Sequence, residues 1–189
     1  MPHDAFRATG RALENEFFAK RDAERLAALR KEIATRAERR GLADVTGIPD
    51  EKVLQQLVDL GVTAENLAAV AIVPLVLVAW ADGELDEKER TAVLQAAASH
   101  DVEEGQAAHQ LLQTWLAAKP DDSLRDAWLA YAAAFRDELP KEVVVALHEW
   151  VMTRAKAVAE AAGGFLGLGS ISGSEQRMLD ELDEAFERS

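Results

Sequence analysis

The chain of 189 residues contains no cysteine, which excludes disulfides, thiolate-ligated zinc, iron–sulfur clusters and cysteine nucleophiles. Glycine and proline are modest at 11 and 5 residues, so neither a collagen-like repeat nor a low-complexity linker is present. Long apolar runs are also missing. The longest, Leu67–Ala81, is interrupted by Pro74 and falls short of the ~20 residues of a membrane-spanning helix. No apolar stretch follows Met1–Asp4, so no secretion signal and no transmembrane segment are expected, and a reducing cytoplasm suits the composition. No segment alternates polar and apolar residues as a half-buried strand would.

What is present is an acidic, apolar-rich chain. Hydrophobic residues make up 49% and charged residues 29%, with a net charge of −13. A core of useful size can therefore form without a metal or a cross-link. The charge is uneven: residues 1–40 carry ten Lys/Arg against seven Asp/Glu, giving +3, and the remainder carries −16. Such a body repels phosphate backbones, which argues against nucleic acid and for a cation or a protein partner.

The apolar residues recur at helical spacing almost throughout, so the expected fold is all-α, a bundle of seven to eight helices. Residues 1–40 read as one long charged helix, built on Phe6, Leu13, Phe17, Leu26, Leu29, Ile33 and Ala37 and ended by Gly41. It either docks on the acidic body or projects toward a partner, and the opposite charges favour docking. Residues 41–189 read as the main domain. There Asp50 caps a helix at about 50–60, stopped by Gly61, and Thr63 caps an apolar helix at 64–81 kinked by Pro74. Asp86 and Glu89 form a D-x-x-E capping box for a helix at 87–99. Helices at 103–118, 123–138 and 141–162 follow. Ser172 and Glu175 repeat the box as S-x-x-E before a last acidic helix at 173–187.

The helix junctions echo each other. Ala79-Trp80-Ala81-Asp82-Gly83 and Glu84-Leu85-Asp86-Glu87-Lys88-Glu89 are matched by Ala159-Glu160-Ala161-Ala162-Gly163 and Ser170-Ile171-Ser172-Gly173-Ser174-Glu175, with Gly164–Gly169 inserted. Two units, at about 64–99 and 141–187, each run helix, glycine turn, apolar staple and capped helix, an arrangement able to pack about a pseudo-twofold axis.

Through this A-D-G-E-hydrophobic-D-x-x-E stretch and its degenerate copy, residues 64–187 resemble the TerB-like family, named for a tellurite-resistance protein and found also in membrane-anchored J-domain co-chaperones. The resemblance implies an all-α protein without catalytic activity, acting in stress response or in envelope-associated complexes, that binds divalent cations through acidic residues at two Asp-Gly turns. Asp82, Glu84 and Glu89 match the first acidic cluster and Glu175 the second. Ala162, Ser170 and Ser172 stand where the pattern has acids, which puts a two-site arrangement in doubt. The stretch Ala12–Asp22 lies outside this region and is similar to the start of uncharacterised bacterial proteins of comparable length, and more distantly to the bacterial ATPase-inhibitor zeta subunit.

Two readings compete at the first junction. Asp82, Glu84, Asp86, Glu87 and Glu89 offer the oxygen ligands that calcium or magnesium takes, although their spacing is not that of an EF-hand. Alternatively, every one of them is turn or capping chemistry. Gly163–Ser170 lacks the strand and the Gly-Lys-Ser/Thr of a phosphate cradle. It reads as an apolar loop whose Phe165, Leu166 and Leu168 plug the domain or a partner, with anion binding at the next helix start as the alternative. His3, His100, His109 and His148 show no metal-binding spacing, the four tryptophans read as core, and no G-x-S-x-G elbow is present. The resulting expectation is a non-catalytic binding protein, responsive to a divalent cation. A metal-dependent enzyme or enzyme subunit using the acidic cluster, and a helical regulator acting through residues 5–40, are the alternatives.

Overall fold

A computed structural model describes residues 3–162 and 171–187. Among these residues it is all-helical, with eight α-helices and no strand. They are α1 (His3–Thr46), α2 (Glu51–Asp59), α3 (Val73–Ala79), α4 (Glu87–Ala98), α5 (Ala107–Ala117), α6 (Asp122–Glu138), α7 (Lys141–Ala162) and α8 (Gly173–Glu184), with a 3₁₀ segment, Leu67–Ile72, leading into α3. The chain divides into two units, Met1–Glu38 and Arg39–Ser189. The first is the helical stretch of α1 up to Glu38, along which Arg36 pairs with Glu32 one turn back.

Helix α8 ends at Glu184, short of the expected 187, and three other boundaries differ from the sequence reading. Helix α1 passes through Gly41 and ends at Thr46. Leu42, fully buried in the second unit, rewards continuation of the helix. Gly47 makes the stop instead: its φ of +71° is left-handed, its N–H reaches the Ala43 carbonyl, and the Thr46 hydroxyl donates to the Leu42 carbonyl.

The apolar stretch 64–81 is not one kinked helix, and Thr63 is not its cap. The carboxamide of Asn66 accepts the Thr63 N–H at 2.7 Å and donates to the Gly61 carbonyl at 3.0 Å, closing the turn so that helix begins only after Asn66. The 3₁₀ segment then ends with the Val73 N–H on the Val70 carbonyl, and Pro74 falls in the first turn of α3. That is where a residue without an N–H costs nothing, so the proline divides two elements instead of bending one. Third, α5 starts at Ala107, not 103. Residues 103–106 form a turn in which the Gln106 side chain accepts the Glu103 N–H.

The other N-cap signals hold. Asp50 accepts the N–H groups of Lys52 and Val53, and both capping boxes, Asp86 with Glu89 and Ser172 with Glu175, are closed in both directions. All seven residues of α3 are buried. Helix α3 packs against α4, α6, α7 and α8; α7 also covers α4 and α8; α2 lies on α6. Trp115 and Trp128 are core residues as expected, whereas Trp80 and Trp150 are half-buried.

Candidate functional site

The first junction is built by local chemistry. Gly83 adopts φ +98°, a left-handed conformation that side chains disfavour, and this turns the chain out of α3. Asp82 Oδ1 accepts the Glu84 N–H at 3.0 Å, an Asx turn. Asp86 Oδ1 then accepts the N–H groups of Lys88 and Glu89 at 2.7 and 2.8 Å, and Glu89 Oε2 accepts the Asp86 N–H at 2.9 Å. Three of the donors at the helix start are thereby satisfied.

Glu89 is 4% exposed and Glu175, at the same position of the second box, is 5% exposed. These are buried carboxylates from two separate helices, and they lie within electrostatic reach of one another. Burial pushes the Glu89 carboxyl up to about 7; the Asp86 N–H opposes this, and the charges of Asp86, Asp82 and Glu175 reinforce it. The fold therefore brings Asp82, Asp86, Glu89 and Glu175 into one electrostatic neighbourhood. The Glu84 and Glu87 side chains are exposed.

A positive charge is already delivered to this turn, which the sequence did not announce. The Trp80 indole N–H donates to the Trp115 carbonyl at 3.1 Å and Arg90 donates to the Leu116 carbonyl, so α3 and α4 together satisfy the end of α5. The chain leaving α5 then sets the Lys119 ammonium beside Gly83: a Cβ placed on Gly83 would lie 3.7 Å from Nζ. Only the 35-residue separation of Trp80 and Trp115 in sequence hides the arrangement.

Among the described residues, no group of three or more His, Asp or Glu side chains is placed to hold a metal ion. The acids of the first junction therefore do not form a ready ligand cage. A cation here would meet one or two carboxylates and keep water in the rest of its shell, as magnesium commonly does. The second junction carries neutral Ser172 as its N-cap, where the first has Asp86. The loop 163–170, with the plugging and anion-binding readings placed on it, lies outside the described residues, as does the side chain at position 162.

His100, His109 and His148 are half-buried and engaged separately. His109 pairs with Gln113, His148 Nε2 meets Asp183 Oδ1 at 2.5 Å, and the His100 ring stacks on Trp150 with centroids 4.4 Å apart. Among the described residues, no helix is long and apolar enough to cross a membrane. Compared with family models, with curated proteins and with solved structures, the chain matches none.

Proposed function

We propose that this chain is a non-catalytic, TerB-like binding protein whose first acidic junction responds to a divalent cation, calcium or magnesium, and passes that response to a protein partner. The observation that carries this reading is the burial of Glu89 and Glu175 within reach of each other, with Asp82 and Asp86 adding like charge at the same place. Such a cluster is relieved by added positive charge, and Lys119 supplies only part of it. Asp82 and Asp86 are exposed at its edge, so a hydrated cation can reach them without the core opening.

The two junctions, in this reading, are halves of a pseudo-twofold repeat in which the second keeps Glu175 alone of its acids. At most one cation site per chain follows. Calorimetric titration with magnesium or calcium at constant ionic strength should find one weak site, abolished in Asp82→Ala and tightened severalfold in Lys119→Met. Two equal sites, or a titration unchanged in both variants, would contradict the proposal.

A further inference from the structure

A cavity of about 280 Å³ opens in the second unit, away from the acidic junction, lined among others by His100, Trp128, Tyr131, Phe135, Val151 and Phe186. Its walls come from the 3₁₀ segment, α6, α7 and the residue Phe186 beyond α8, so several packed elements fix its shape. The aromatic rings are set against one another. Trp128 and Phe186 meet edge-on at 5.9 Å, and Tyr131 and Phe135 tilt together at 5.8 Å.

Among the described residues, no Asp, Glu, Lys or Arg lines this space. A charged ligand would therefore enter without a counter-charge, which is costly. Two residues bring polar groups to the apolar wall, the Tyr131 hydroxyl and the His100 imidazole. Neither side chain hydrogen-bonds to another described residue, whereas His109 and His148 both do. A tyrosine hydroxyl is protonated at neutral pH, and burial raises that of Tyr131 further, so it stands as a donor. His100 is held by its stack on Trp150, whose ring also carries the Arg154 guanidinium at 4.7 Å.

We propose that this cavity is a binding site for a small neutral aromatic molecule bearing one hydrogen-bonding oxygen, which stacks among Trp128, Phe135 and Phe186 and bonds to the Tyr131 hydroxyl beside His100. The volume suits roughly ten to fourteen non-hydrogen atoms at the packing density of protein interiors, a size near the lower end of ordinary ligand pockets. The rings supply dispersion and edge-to-face contacts, and the polar pair supplies orientation.

The test uses the full chain and three probes: 2-naphthol, naphthalene and naphthalene-2-sulfonate. The expected result is saturable movement of the Trp128 indole N–H signal with 2-naphthol, binding about fivefold weaker for naphthalene, which lacks the hydroxyl, and none for the sulfonate. Tyr131→Phe should bring 2-naphthol close to naphthalene and leave naphthalene unchanged, a split that general loosening of the fold would not give. Ala68 is exposed where it lines the cavity, so Ala68→Trp should fill the opening and abolish binding of both with little change in the melting temperature. Equal binding of the sulfonate, no saturable signal with 2-naphthol, or full binding in a folded Ala68→Trp variant would overturn the proposal. Elution as a dimer that Phe135→Asp converts to monomer would assign the face to a second copy of the chain, and would overturn it as well.

Discussion

The junction at Asp82–Glu89 and the junction at Ile171–Glu175 solve the same local problem with different charge. Each starts a helix with a reciprocal capping box, buries the glutamate of that box, and places an apolar residue one turn later, Val93 in α4 and Leu179 in α8, in the core. The first surrounds its buried carboxylate with Asp82 and Asp86; the second has Ser172 as its cap. A capping box thus fixes where a helix begins, and a charged cap adds to the cost that burial already imposes on its glutamate.

The largest effects lie in the shared part of the comparison. Leu179 is 1% exposed and Val93 fully buried, so Leu179→Ala should cost about 3 kcal/mol and Val93→Ala about 2 kcal/mol in denaturant unfolding, from lost burial plus the cavity left behind. A loss below about 0.5 kcal/mol at either site would show that this helix is not anchored one turn past its cap.

Charge separates the junctions next. The Glu89 carboxyl rises from an ordinary 4.5 to about 7 in the folded chain. Its contribution to stability is fully present below pH 4.5 and is lost as pH rises through about 7, because the unfolded chain releases the proton first. Stability should therefore fall across this window by an amount on the order of 2–3 kcal/mol. Glu89→Gln, which keeps an acceptor oxygen without the charge, should flatten the profile and be the more stable form at pH 8. A wild-type profile identical to that of the variant would remove the electrostatic half of the comparison.

Smaller effects come from the caps themselves. Ser172→Ala should cost about 1 kcal/mol at pH 5 and pH 8 alike. Asp86→Ala should cost about as much at pH 5 and less at pH 8, where removing its charge relieves ionised Glu89. Parallel losses at both pH values would mean that the two boxes are electrostatically equivalent.

How much of this was legible depended on the range of the interactions. The caps Asp50, Asp86 and Ser172 were readable because side chain and backbone partners lie within three residues. Gly41 misled because the burial of Leu42 outweighs the cost of a glycine inside a helix. Thr63 misled because Asn66 holds both Gly61 and Thr63, and Pro74 looked like a kink although it begins α3. The acids of the first junction were found in sequence, but their approach to Glu175 depends on the packing of α7 and α8. The placement of Lys119 and the cavity beside His100 and Tyr131 are likewise tertiary, and periodicity alone marks neither.

The claim that the first junction answers to a divalent cation, and not merely to ionic strength, is tested most directly by melting the wild-type chain in sodium chloride and in magnesium or calcium chloride at matched ionic strength, with Asp82→Ala alongside. For a site filled at about tenfold excess over Kd, stabilisation is about 1.4 kcal/mol, or roughly 3–6 °C for a chain of this size. The account predicts that increment in the wild type and its loss in Asp82→Ala. Equal melting temperatures in sodium and divalent salts, or an increment that survives in Asp82→Ala, would contradict it.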